Sequence, residues 1–282
     1  MASKKESLQK LQFFYFISHI ANALNNRLSV KGLFIDLSKA FDSISHSILL
    51  EKIYTMGIRG IAHNWLTSYL RNRKQTVHIH KIVNGKHDFI HSSVIEIKRG
   101  VPQGSILGPL LFTLYVNDIA SFINPVKCTL YADDINVLVT GKTEDETTTL
   151  INRTLECIDS WTHTNELNLN TDKTICINFS FPGQKKTLLS ESMNKHKINQ
   201  SQATKFLGVH ISFDLTWKLH LESLNKELGS LCFAFYRLQG SVDRTTLLTL
   251  YFGKVQSLLA YGIIFWGGST LSKTTFKVQK KY

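Results

Sequence analysis

Tyr131-Ala132-Asp133-Asp134 lies between two short apolar runs, VKCTL (126–130) and INVLVT (135–140). Both flanks are rich in Val, Leu, Ile or Thr and read as strands, so the chain must turn at Ala-Asp-Asp. A hairpin with adjacent aspartates at its tip is a poor way to fill a core. It is a good way to present carboxylates to a divalent cation, because two neighbouring acids repel unless something neutralises them. A solvated Asp-Asp turn would look the same taken alone. The balance moves with a third carboxylate upstream, Asp36, which closes the apolar run from Val30 to Ile35.

The 282 residues suffice for one large domain or two smaller ones, and 43% hydrophobic with 19% charged residues is a globular composition. The net charge of +12 is unevenly placed. Arg59–Gly100 carries eight Lys/Arg against two Asp/Glu, and Thr171 to the end carries fifteen against six. Val101–Asn170 reverses the sign, with three basic and nine acidic residues. Basic flanks around an acidic middle suit a polyanion held beside a metal-binding patch, although a generic basic surface has the same counts. Cys128, Cys157, Cys176 and Cys232 show no zinc spacing and no disulfide framework. The longest apolar stretch, Leu258 to Trp266, has nine residues, too few to cross a bilayer, and no secretory signal is expected.

Outward from the hairpin, the apolar spacing predicts a helix over Glu6–Arg27 with Leu8, Leu11, Phe14, Ile17, Ile20 and Leu24 on one face. Further helices are expected over Ser45–Met56, Ile61–Leu70, Leu110–Phe122 and Glu144–Leu167, the last burying Ile151, Leu155, Ile158 and Trp161. Lys74–Lys98 reads as short strands. Phe181–Gln202 reads as a polar surface excursion and FLGVHISFD as a short strand. Two terminal helices are expected, Lys218–Leu238 and Asp243–Phe265. Branched apolar strands followed by helices give an α/β or α+β layered class.

Four blocks, GLFIDLSKAFDSI (32–44), RGVPQGSILGPLLFTLYVNDI (99–119), YADDINVLV (131–139) and LNLNTDKT (167–174) followed by FLGVHIS (206–212), resemble in order and spacing the reverse transcriptase of non-LTR retrotransposons. The resemblance implies the α+β class, with a palm of antiparallel sheet and packed helices over 30–214. It makes 1–29 the entry helix and 215–282 a partial helical thumb. Asp36 and Asp133 match the family's metal ligands, with Asp134 beside them, for two Mg²⁺ (or Mn²⁺). The ions would serve nucleotidyl transfer to a primer 3′ end. Phe41 matches the gate against a ribose 2′-hydroxyl, though by pattern alone it is equally a core aromatic. Gln103 and Gly104 match the nucleotide and template loop, and Asp42 an orienting position. Lys173 matches the proposed general acid for pyrophosphate departure, and FLGV the hairpin that grips the primer end. Arg71, Arg73 and Lys74 are expected on phosphates. The implied partners are RNA template, DNA primer and deoxynucleoside triphosphates, with no membrane and an intracellular setting, nucleus or cytoplasm.

The chain also departs from the family's pattern. Only 35 residues precede Asp36, and the RPIS-type and GFR-type stretches of the fingers are not among them. The expectation is a fragment of a longer polymerase, with little of the fingers, no endonuclease and no full thumb. Two other readings stay open: a nucleic-acid-binding remnant without catalysis, and a degenerate reading frame with no retained role.

Overall fold

The computed structural model describes residues 2–83, 86–102, 104–183 and 198–282. Helix α1 (Ala2–Asn25) leads into strand β1 (Ser29–Ile35), then helices α2 (Ala40–Ser43), α3 (His46–Thr55) and α4 (Gly60–Leu70). Four short strands follow, β2 (Lys74–Gln75), β3 (His78–Val83), β4 (Lys86–His91) and β5 (Ile95–Glu96). They pair antiparallel as β2 with β5 and β3 with β4. Helices α5 (Leu107–Val116) and α6 (Ile119–Phe122) precede the strands β6 (Lys127–Tyr131) and β7 (Asp134–Gly141). Helix α7 (Glu144–Thr164) is followed by β8 (Ile175–Phe179) and β9 (Asn199–Gln200), then the antiparallel pair β10 (Ala203–Phe206) and β11 (Val209–Ser212). The chain finishes in α8 (Lys218–Leu238), α9 (Arg244–Leu250), a π-helical turn at Tyr251–Gln256, α10 (Ser257–Ala260), α11 (Ile263–Trp266) and α12 (Ser272–Gln279).

The fold is mixed α+β, with a five-stranded sheet in the order β6-β7-β1-β8-β9. Strands β1 and β7 lie inside it, and their runs of buried residues are continuous rather than alternating, as strands covered on both faces require. By contacts the chain divides into two compact units. One comprises Phe34–Val137 and Asn152–Thr174; the other comprises Met1–Leu33, Leu138–Ile151 and Ile175–Tyr282.

In the first unit α3 packs on α4 and α5, with Leu49, Ile53, Leu111 and Phe112 buried. Tyr115 is buried with them, and its hydroxyl donates to the Asn165 carbonyl at 2.6 Å. Lys52 donates to the Tyr115 carbonyl and to both oxygens of Asp118, and the Trp161 indole N–H donates to Asp118 as well. Asp118 thus answers two donors that would be costly to bury unpaired. In the second unit Phe13 and Phe16 pack on Phe206, and Phe13 meets Phe265 edge-on at 4.6 Å. Lys31 is wholly buried; it donates to the Thr148 hydroxyl at 2.6 Å and pairs with Glu144 at 3.4 Å. Burial holds its ammonium below the ordinary lysine value, and Glu144 offsets part of that.

Several expectations are corrected. The buried face of α1 is Phe13, Phe16, Ile17, Ile20, Ala23 and Leu24, while Leu11 and Phe14 stay about half exposed. Ile17, Ile20 and Leu24 are buried as the spacing predicts, and Phe13 and Phe16 join them because Phe206 and Phe265 lie against their side of the helix. Helix α5 starts three residues before Leu110, because the Ser105 hydroxyl accepts the otherwise unpaired Gly108 N–H at 3.0 Å. It also ends at Val116, with α6 separate. FLGVHIS is not the one strand its pattern suggests but the turn and second arm of a hairpin, as the resemblance implies for FLGV, turning at Leu207-Gly208, both in the left-handed region. The expected last helix is broken into α9, the π turn, α10 and α11, with Gly253 inside the π turn and Gly262 at φ 67°. Helix α12 was not foreseen. Gln103 and most of the polar excursion (184–197) lie outside the described residues.

Candidate active site

Strand β1 ends at Ile35, and Asp36 is half-buried just beyond it. Strands β6 and β7 are joined by Ala132 and Asp133 alone, a two-residue link that only antiparallel neighbours permit. Ala132 takes φ 50°, the left-handed value such a tight turn demands at the expense of some strain. Since β7 neighbours β1, Asp133 comes to the end of the strand that delivers Asp36, although 97 positions separate them.

Both carboxylates line one cleft of about 480 Å³, with the rest of residues 36–42, Asn170 and Lys173. Asp134 begins β7. Its carboxyl is raised above the usual carboxylate range, first by burial, then by the negative charges of Asp133 and Asp36. Three acids therefore feel one another. The oxygen-only set suits a hard divalent cation such as Mg²⁺. Among the described residues, however, no three His, Cys, Asp or Glu side chains are grouped to hold an ion, so the cleft itself offers the pair Asp36 and Asp133 with Asp42 farther along its wall.

The segment 168–174 is laced to 36–38. The Ser38 N–H donates to the Asn168 carbonyl at 2.8 Å, Leu37 bridges Leu169, and the Asn170 N–H donates to the Asp36 carbonyl at 2.9 Å. The Asp36 N–H donates to the Thr174 hydroxyl at 3.2 Å, and the Asn170 amide donates to Asp36 Oδ2 at 2.9 Å. These bonds carry exposed Lys173 to the cleft.

The second block is joined to the first through its opening residues. Gly100 donates to the Ile44 carbonyl at 2.8 Å and Val101 to the Phe41 carbonyl at 2.9 Å, with an antiparallel bridge between Ser45 and Arg99. Gly100 is at φ 84°, and a Cβ there would stand 2.9 Å from the Asp42 carbonyl oxygen, so the approach needs glycine. Gly104 also has positive φ, 77°, but in open space. Phe41 stacks on buried Phe112 with ring centroids 4.7 Å apart and still lines the cleft, so it is both a packing aromatic and a cleft wall.

Of the residues expected on phosphates, Arg73 and Lys74 line a neighbouring cleft of about 640 Å³ with Asp42, Arg99 and Gly100–Pro102. The Arg73 guanidinium lies 5.2 Å from the Tyr69 ring centre, and Arg99 is ion-paired with Glu166 at 2.6 Å. Exposed Arg71 caps α4 and is not among the residues lining either cleft. Two cleft residues went unweighed in the sequence. Lys39, held at φ 48° and exposed, adds a second lysine to the cleft that Lys173 lines; Asn170 grips Asp36. Both stood inside blocks already quoted, and neither has a residue type that singles it out.

Residues 4–211 match the family model described as reverse transcriptase (RNA-dependent DNA polymerase). The chain is 26% identical over 263 residues to the probable RNA-directed DNA polymerase from transposon X-element of Drosophila melanogaster, covering 91% of this chain and 28% of that protein. It is 27% identical over 222 residues to the RNA-directed DNA polymerase from mobile element jockey of the same fly, covering 76% and 23%. The chain thus spans about a quarter of the length of these curated relatives. Among solved structures, a telomerase from Candida tropicalis in complex with a TWJ fragment of telomeric RNA superposes with TM-score 0.46 at 14% identity, over 86% of this chain and 41% of that one. With the family model matched across most of this chain, it belongs to the reverse transcriptase (RNA-dependent DNA polymerase) family.

Proposed function

We propose that the cleft around Asp36 and Asp133 is a nucleotidyl-transfer site that extends a DNA primer with deoxynucleoside triphosphates along an RNA template. The observation that carries this reading is the meeting of those two distant aspartates with Lys39, Phe41 and Lys173 in one cleft. Asp36 and Asp133, with Asp134 beside them, would hold two Mg²⁺ (or Mn²⁺), which supply charge stabilisation on the attacking and leaving oxygens when bound. In the transfer, the primer 3′ hydroxyl loses its proton to solvent, its oxygen bonds to the α-phosphorus, and the bond to the bridging oxygen of pyrophosphate breaks. Lys173 and Lys39 attract the triphosphate, and Lys173 gives a proton to the departing pyrophosphate. Phe41, backed by Phe112, sets the floor under the sugar and excludes a 2′-hydroxyl by volume. Gln103 and Gly104 would face template and nucleotide, and Arg71, Arg73 and Lys74 would lie along phosphates. In this reading 30–214 is the palm and 215–282 the start of a thumb.

Primer extension on poly(rA)/oligo(dT) with Mg²⁺ tests it. Asp133→Asn keeps the side-chain volume and removes a charge the cation needs. Incorporation is expected to fall at least ~100-fold with the circular dichroism spectrum unchanged. Equal incorporation by wild type and Asp133→Asn would refute the assignment. A second reading, nucleic-acid binding without synthesis, is favoured by the net charge of +12, gathered in the basic segments 59–100 and 171–282. It predicts salt-sensitive RNA binding in a chain that incorporates nothing.

A further inference from the structure

Asn170 and Asn165 use their side-chain amides differently. Asn165, four residues after Trp161, turns its amide back to the Trp161 carbonyl at 2.8 Å, an ordinary bond to its own helix. Asn170 instead reaches across 134 positions of sequence to a carboxylate, donating to Asp36 Oδ2 at 2.9 Å. Its other end is used too, because Oδ1 accepts the Lys173 N–H at 3.3 Å. A flipped amide would set oxygen against oxygen at Asp36, so the two partners fix its orientation together. Main-chain bonds place the side chain for this: the Asn170 N–H is on the Asp36 carbonyl, and the Thr174 N–H is on the Asn170 carbonyl at 2.8 Å.

An aspartate's terminal torsion is broad, so an unassisted carboxylate turns freely. A neutral amide stops that rotation and leaves the negative charge in place, whereas an arginine at the same position would neutralise it. We propose that Asn170 is a positioning residue: it holds the Asp36 carboxylate in one orientation for a divalent cation and, through the same amide, ties down the turn that carries Lys173. This rests on reading Asp36 and Asp133 as the cation's ligands. Partners that orient a ligand in this way change metal affinity by about 10–100-fold when removed.

The test is Mn²⁺ binding to the full chain, read as loss of the free-ion electron paramagnetic resonance signal, beside thermal melts and steady-state primer extension. Asn170→Ala, and Asn170→Leu as a volume-keeping second variant, are expected to weaken Mn²⁺ binding about tenfold. Both should lower kcat and also raise KM for the nucleotide, because the turn that carries the triphosphate-attracting Lys173 is no longer tied down. Asn165→Ala, a purely structural asparagine, is expected to lower the melting temperature with Mn²⁺ affinity unchanged. If both Asn170 variants bind Mn²⁺ within about twofold of wild type while Asp133→Asn loses it, the role of Asn170 is refuted and the site stands. If Asp133→Asn binds Mn²⁺ like wild type, the site reading fails and the proposal with it. Failure of both Asn170 variants to fold would make the residue structural and overturn the proposal.

Discussion

Gly100→Ala puts one methyl group where two blocks of the site meet. The residue is at φ 84°, where alanine carries a penalty of about 1–2 kcal/mol. The new Cβ would also lie 2.9 Å from the Asp42 carbonyl oxygen and 3.0 Å from its Cα, and these are main-chain atoms that cannot swing away. Relief requires residues 99–101 to shift by some tenths of an ångström. That stretches the 2.8 Å bond from Gly100 to Ile44 and the 2.9 Å bond from Val101 to Phe41, each contributing about 0.5–1.5 kcal/mol. The expected loss is about 2–4 kcal/mol. Gly104→Ala supplies the comparison, since Gly104 shares the positive φ but has nothing within 4 Å. It should lose only the conformational part, about 1–2 kcal/mol. Urea unfolding followed by tryptophan fluorescence, with the slopes equal, gives both numbers. Losses within about 0.5 kcal/mol of each other would refute the close approach as the reason for glycine at 100.

Phe41→Ala should leave deoxynucleotide incorporation detectable while admitting ribonucleotides, because the stacked ring acts by volume; side-by-side assays with the two nucleotide sets check this, and unchanged discrimination would reduce Phe41 to a packing residue. His220 in the other unit gives a pH dependence. Its imidazole is held down to about 4, chiefly by burial, then by His210 and Lys205. The unfolded ring binds its proton near 6.5 and the folded ring only near 4, so stability present above pH 6.5 is lost as the pH falls through that window. After discounting for partial solvent access the loss is about 2 kcal/mol. Urea midpoints at pH 7 and pH 4.5 for wild type and His220→Asn measure it, and an equal drop in both would exclude His220 as the cause.

Local pattern was enough to find much of this protein. The run from Val30 to Ile35 is strand β1, the apolar flanks of YADD are β6 and β7, and Lys218–Leu238 is α8 to the residue. The buried stripe Ile151, Leu155, Ile158 and Trp161 is as its spacing demands. Such elements are legible because side-chain period and turn residues act within a few positions of sequence. Asp36 and Asp133 stood out as candidate cation ligands for a different reason: acids at the ends of apolar strands have no role in a core. Tertiary structure alone decided the rest. The choice of Phe13 and Phe16 over Leu11 and Phe14 depends on Phe206 and Phe265, which are far along the chain. The need for glycine at 100 comes from the Asp42 main chain, and the side-chain bond of Asn170 is to a carboxylate 134 positions away. Neither an asparagine nor a glycine signals its partner by type, because hydrogen-bond geometry and close approach exist only once distant strands are set side by side.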